Sequence, residues 1–144
     1  MFINGPIPFA QIERAYKNSE ENEGANTFFV GKVRADIAAD SVVRSIEFTA
    51  QKEIAERVAN EIIEFSKKQF GILNAEIWHS MGLIHVGEPC FLVVVTAQHR
   101  DESFRALEYI VNEVKKQCPI FGKEIFNDGN YQWKIIKESI NSKE

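Results

Sequence analysis

The chain has 144 residues, 44% of them hydrophobic and 26% charged, with a formal net charge of -4. That is enough apolar chain for the core of one ordinary globular domain and argues against wholesale disorder. The acidic balance argues against a general nucleic-acid binder, which needs a basic face to track phosphates. No apolar run approaches the roughly 18 residues that cross a bilayer. Residues 1–6 show neither a charged n-region nor an apolar h-region, so a cytoplasmic location is expected.

Along the chain, residues 8–16 carry Phe9, Ile12 and Tyr16 at helical spacing and predict a short amphipathic helix. The polar, acidic run 18–26 reads as a solvated loop. Residues 27–33 are β-branched and aromatic and predict a strand. The small, polar residues 35–41 read as a loop, and partial alternation over 42–49 predicts the next strand. Residues 50–70 form the first long helix, with Ile54, Val58, Ile62, Phe65 and Phe70 on the 3.6-residue period, Ala55 and Ala59 beside them, and Gly71 as its C-terminal cap.

A short strand is expected at 75–79. Gly82 then opens a hairpin of 83–86 and 90–97, closed by Gly87-Glu88-Pro89. Phe91-Leu92-Val93-Val94-Val95 is continuously apolar, as in a strand covered on both faces. Asp101 suits an N-cap for a helix over 102–117, whose core stripe reads Phe104, Leu107, Val111, Val114 and Cys118. Pro119 ends that helix, and the segment with Gly122 and Lys123 reads as too irregular to be helical. A turn signal at 126–130 leads into a strand over 131–136. Elements that alternate irregularly around hairpins point to an α+β fold. Residues 1–138 are expected to make a single domain, with a polar tail at 139–144.

Cys90 and Cys118 lie far apart, outside any Cys-x-x-Cys pair, and read as small buried hydrophobes rather than a disulfide. His79, His85 and His99 lack short metal-ligand spacing, so no metal site is expected. The cations are more informative. His99 and Arg100 stand where an apolar strand gives way to a helix N-terminus, whose free amides and dipole favour anions. Asp101 competes for the same amides, and the plain alternative is local hydrogen bonding and a surface ion pair. Arg34 ends a strand beside the loop at 35–41 and is a ligand contact or a solvated side chain. Lys115 borders the buried stripe of its helix, where partial desolvation lowers a lysine pKa. Lys123 follows Gly122 in the irregular segment.

The fifteen residues from Arg100 to Lys115 span about 22 Å along a helix. One small ligand cannot touch both in one protomer. Function at both ends of the helix therefore predicts a homodimer with a composite site.

At these residues the chain resembles the large, catalytic subunit of molybdopterin synthase. The resemblance rests on Phe29-Val30-Gly31-Lys32-Val33-Arg34, Ile46-Glu47-Phe48-Thr49-Ala50, His79 with Met81-Gly82, Val86-Gly87-Glu88, His99-Arg100 with Phe104, Lys115 with Pro119, Lys123-Glu124, and Trp133. It covers roughly residues 5–138. It implies an α/β hammerhead core with an additional small antiparallel sheet, and a homodimer that takes up a small ubiquitin-like subunit at each end to make a heterotetramer. It also implies a reaction: sulfur passes from a C-terminal Gly-Gly thiocarboxylate on the small subunit to cyclic pyranopterin monophosphate (precursor Z), making molybdopterin. By this resemblance Arg34, His99 and Arg100 bind substrate, and Lys115 and Lys123 are catalytic. No metal or redox cofactor is implied.

The family pattern places a second lysine where this chain has Gly122, with Lys123 one residue late. Gln51 and Ser80 are further departures. The alternative is a non-catalytic paralogue that binds the ubiquitin-like partner without turnover. A third reading, a small phosphate-ester binder or hydrolase, lacks a recognisable nucleophile–base pair.

Overall fold

The computed structural model describes residues 1–18 and 20–134. In chain order the elements are β1 (Phe2–Asn4), α1 (Phe9–Lys17), β2 (Ala25–Lys32), β3 (Ile37–Ala38), β4 (Ser41–Ala50), α2 (Lys52–Phe70), β5 (Asn74–His85), β6 (Pro89–Ala97), α3 (Arg100–Gln117), β7 (Ile120–Phe126) and β8 (Tyr131–Trp133). The fold is α+β, as expected. No helix among the described residues is long and apolar enough to cross a membrane.

The strands form a path β2-β6-β5-β4-β7-β8, with β1 added parallel to β5 and β3 paired with β4. Strand β6 is central. Phe91, Val93, Val95 and Ala97 pack into the core that includes Ala59 and Ile62 of α2 and Ala106, Ile110 and Val114 of α3. Leu92 and Val94 point the other way, against Ile7 and Ala15 of the α1 side. The uninterrupted apolar run is thus a strand covered on both faces.

Strand β5 departs from the expected hairpin at Gly82. It is one strand that serves two neighbours: residues 74–79 pair with β6, and residues 82–85 pair with β4. Gly82 has φ +85°, a conformation that side chains with a Cβ rarely adopt, and it lies at the handover. The second half of β5 thereby carries β4, β7 and β8, which supply the small antiparallel extension that the family resemblance implied.

Several boundaries and faces differ from expectation. Residues 37–38 pair with 41–42 rather than forming a plain loop. Residues 120–126, for which no strand was expected, form β7 because β4 and β8 satisfy their backbone groups on both sides. Strand β1 carried no sequence signal. Of the strand expected over 131–136, β8 covers Tyr131–Trp133 and Lys134 follows its end; Ile135, Ile136 and the tail at 139–144 lie outside the described residues. Helix α3 starts at Arg100, with His99 as its N-cap and Asp101 inside the first turn.

The helix stripes also rotate. The residues of α3 that face the sheet are Ser103, Ala106, Ile110 and Val114, while Phe104 is 59% exposed. On α2 they are Ala55, Ala59, Ile62 and Ser66, with Ile54 and Phe65 outside. On α1 the buried residue is Ala15, and Phe9 and Tyr16 are exposed. Small residues let helix and sheet approach closely, and the larger apolar side chains remain at the flanks. Ser66 satisfies itself by donating to the Ile62 carbonyl at 2.8 Å.

Ile110 is fully buried, so Ile110→Ala should cost about 2–5 kcal/mol. Phe104→Ala should cost less than about 1 kcal/mol. Urea unfolding midpoints at constant slope check the pair; equal costs would restore the stripe read from periodicity.

Candidate active site

Lys115, in the last turn of α3, is felt electrostatically at His79, near the point where β5 changes partner. His79 sits there, 8% exposed, between Phe48 of β4 and Phe91 of β6, with ring centroids 4.8 and 5.5 Å away. Its Nδ1–H donates to the Ser80 carbonyl at 2.8 Å in the neutral tautomer that this contact selects. Burial is the main cause that drives its pKa down to about 4; the Ser80 contact opposes this, and the Lys115 and Lys134 cations push it lower. His79 is therefore a neutral floor beneath positive charge.

Lys115 is exposed as a residue, yet protein atoms crowd its ammonium. That desolvation is the first cause of its lowered pKa, followed by repulsion from Lys134; Cys90 acts in the opposite sense, and Arg34 adds further repulsion. Burial also raises the Cys90 thiol, so at neutral pH it adds no anion to the cluster. Cys90 and Cys118 are both free and buried, as expected for small core residues. Arg34 is exposed and contacts Asp36 at 3.3 Å, a surface ion pair of little weight. Arg34, Lys115 and Lys134 thus converge on one region from three separate parts of the chain.

The other expected site residues lie elsewhere in the protomer. His99 and Arg100 are exposed at the far end of α3. His99 Nδ1 approaches Glu102 at 3.2 Å, and Asp101 pairs with Arg105 at 3.0 Å rather than capping the helix. Because α3 is one unbroken helix from Arg100 to Gln117, the distance of about 22 Å to Lys115 stands. Lys123 is not beside Lys115. It pairs across the ladder with Glu47 and Trp133, and its Nζ lies 4.4 Å from the centroid of the Tyr131 ring, a cation–π contact. Strand alternation puts Lys123 on the face opposite Gly122, so a swing at Gly122 does not bring it to Lys115.

The MoaE protein family model matches residues 3–117. The chain belongs to the MoaE family. It is 38% identical over 133 residues to the molybdopterin synthase catalytic subunit of Pyrococcus abyssi, covering 90% of this chain and 86% of that one. Among solved structures it resembles molybdopterin synthase from Staphylococcus aureus, with a TM-score of 0.84, 25% identity, and coverage of 94% of this chain and 96% of the other. It shares its fold with a chain in the complex of subunits 1 and 2 of the molybdopterin-converting factor from Helicobacter pylori, with a TM-score of 0.75, 22% identity, and coverage of 96% and 90%. In this MoaE-family chain the family match stops at Gln117, just before the segment that carries Gly122, Lys123 and Lys134.

Sequence reasoning missed His79 as the floor of the cluster and Lys134 as one of its cations. Both depend on strand pairing. The usable signal for Lys134 was alternation within the expected strand, which sets it on the opposite face from Trp133.

His79 makes stability pH-dependent. Its folded pKa, about 4, lies below the ordinary 6.5, so the unfolded chain binds the extra proton first. This contribution is complete above pH 6.5 and is lost as pH falls from 6.5 toward 4, reaching about 3 kcal/mol. Between pH 7 and 4.5 the unfolding free energy of the unmutated protein should therefore drop further than that of His79→Phe. Parallel profiles would show that His79 does not titrate this way.

Proposed function

We propose that this chain is the catalytic subunit of a molybdopterin synthase, a sulfurtransferase. It acts on cyclic pyranopterin monophosphate with sulfur from the thiocarboxylated C-terminus of a small ubiquitin-like subunit. The observation that carries this reading is the convergence of Arg34 and Lys115 at the C-terminal end of α3, in a family whose relatives bear the name of that catalytic subunit. The two-subunit complex of the Helicobacter pylori relative supports a small partner.

The chemistry suits these groups. The phosphate ester and the thiocarboxylate are both anions, and a partly desolvated cation such as Lys115 holds an anion better than a fully solvated one does. The ammonium of Lys115, with its lowered pKa, can hold negative charge on the reacting sulfur and gives up a proton more readily than an ordinary lysine. For sulfur to be transferred, its new bond to a pterin side-chain carbon must replace a carbon–oxygen bond there, the oxygen leaving on the phosphate as the ring ester opens or, with protons, as water; the acyl–sulfur bond then breaks as water adds to the acyl carbon and returns the small subunit's carboxylate. Arg34 supplies a planar fork for phosphate.

His99 and Arg100 enter the same pocket only from a second protomer, because α3 separates them from Lys115. The working unit is therefore a homodimer in which each site takes Lys115 and Arg34 from one chain and His99 and Arg100 from the other, with a small subunit at each end.

Lys115→Ala should lower molybdopterin formation from precursor Z and thiocarboxylated small subunit by about 10²–10³-fold, while binding of the small subunit persists. Retention of full turnover would remove Lys115 from the chemistry. A second assay tests the composite site. Lys115→Ala and Arg100→Ala proteins, each nearly inactive, should recover roughly a quarter of normal activity when unfolded together and refolded, because mixed dimers restore one intact site. No recovery would mean that both residues serve one chain's site.

A further inference from the structure

We propose that Lys134 is a second anion-binding ammonium of this pocket, supplied by the strand beside Gly122. The inference rests on the reading above, in which the pocket takes an anionic guest.

The register carries it. Lys123 pairs with Trp133, and the next backbone hydrogen bond runs from Lys134 N–H to the Gly122 carbonyl at 2.7 Å, so Lys134 lies directly across from Gly122. Residues opposite one another share a face. On the other side of β7, Gly122 is opposite Phe48, whose ring packs against His79. Gly122, Phe48 and Lys134 therefore form one row on the His79 side, with Lys123 turned to the other side over Tyr131.

Gly122 itself has no room for a lysine. A Cβ there would meet Ile46 Cγ2 at 3.0 Å and Phe48 Cε1 at 3.3 Å, so any side chain has to push the two buried residues beneath it. A cation can join this row without that collision from the neighbouring strand, and Lys134 is the residue in register. Its charge is felt on three elements at once: it disfavours the protonated forms of His79 on β5 and Lys115 on α3, and it favours the thiolate of Cys90 on β6. Glu124 shares the face two residues further along β7, opposite Ile46. Among the described residues, the ion pairs formed include neither Lys115 nor Lys134. Two ammonium groups that repel one another gain when an anion lies between them, which is the arrangement expected of a phosphate or thiocarboxylate site.

The test has two readouts on the full chain. The first is binding of inorganic pyrophosphate, followed by amide chemical shifts. Lys134→Ala should weaken it by about tenfold, the loss expected for one charge-assisted hydrogen bond, with Lys134→Arg restoring most of the affinity and Lys123→Ala changing nothing. The second is molybdopterin formation with the thiocarboxylated small subunit. Lys134→Ala should cut it by about 10²-fold and Lys123→Ala by less than about twofold. A higher KM for the pterin assigns Lys134 to the phosphate; a lower kcat at unchanged KM assigns it to the sulfur anion. Pyrophosphate binding that depends on Lys134, in a protein that forms no product, would refute the synthase reading and leave the anion site standing. Unchanged pyrophosphate affinity in Lys134→Ala, or loss of turnover in Lys123→Ala with Lys134→Ala unaffected, would overturn the assignment to Lys134.

Discussion

Strand β5 is paired with β6 before Gly82 and with β4 after it, and the positions of all the groups around Lys115 follow from that exchange. The first half of the strand belongs to the layer on which α2 and α3 pack. The second half leads away into β4, β7 and β8. At the junction, side chains from both parts face one another: Phe48 from β4, His79 from β5 and Phe91 from β6. The last turn of α3 carries Lys115, whose charge is felt at His79. A straight β5 would leave β7 and β8 without the partner strand that brings Gly122 and Lys134 into this row.

The electrostatics follow from the packing. A chain of net charge -4 sets the charges of two lysines against a histidine that burial holds neutral, with Arg34 adding to the repulsion felt by Lys115. Concentrated positive charge on an otherwise acidic molecule raises the local concentration of an anionic guest and steers its approach. The uncharged floor matters as much, because an apolar, water-poor base strengthens each cation's hold on a bound anion. Helix α3 sets the other limit. It is rigid and too long for its two charged ends to meet, so any reaction that uses both ends needs two chains.

The sequence disclosed the elements that carry strong periodic or continuous apolar patterns. The β6 run, the C-terminal cap and length of α2, and the α+β class were all legible, and Arg34 and Lys115 could be singled out as candidate site residues. What the sequence hid was set by tertiary context. The exposed Phe104 looked like core because size and spacing do not reveal which helix face meets the sheet; there, close packing selected Ser103 and Ala106 instead. Strand β7 looked irregular because Gly122 and the mixed polarity of its neighbours mask alternation, and only β4 and β8 on either side make it a strand. The same blindness made Lys123 the natural substitute for the lysine missing at Gly122. In one dimension it is the adjacent residue; across the hairpin, the adjacent residue is Lys134.

The cluster of cations is most directly tested by titrating the Lys115 side chain in the intact protein by NMR, with and without inorganic pyrophosphate. Its ammonium should lose its proton below the ordinary lysine value of 10.5, and the pKa should rise when the anion binds. A Lys115 that titrates at or above the ordinary value, and that does not respond to the anion, would contradict the crowding of cations on which the account rests.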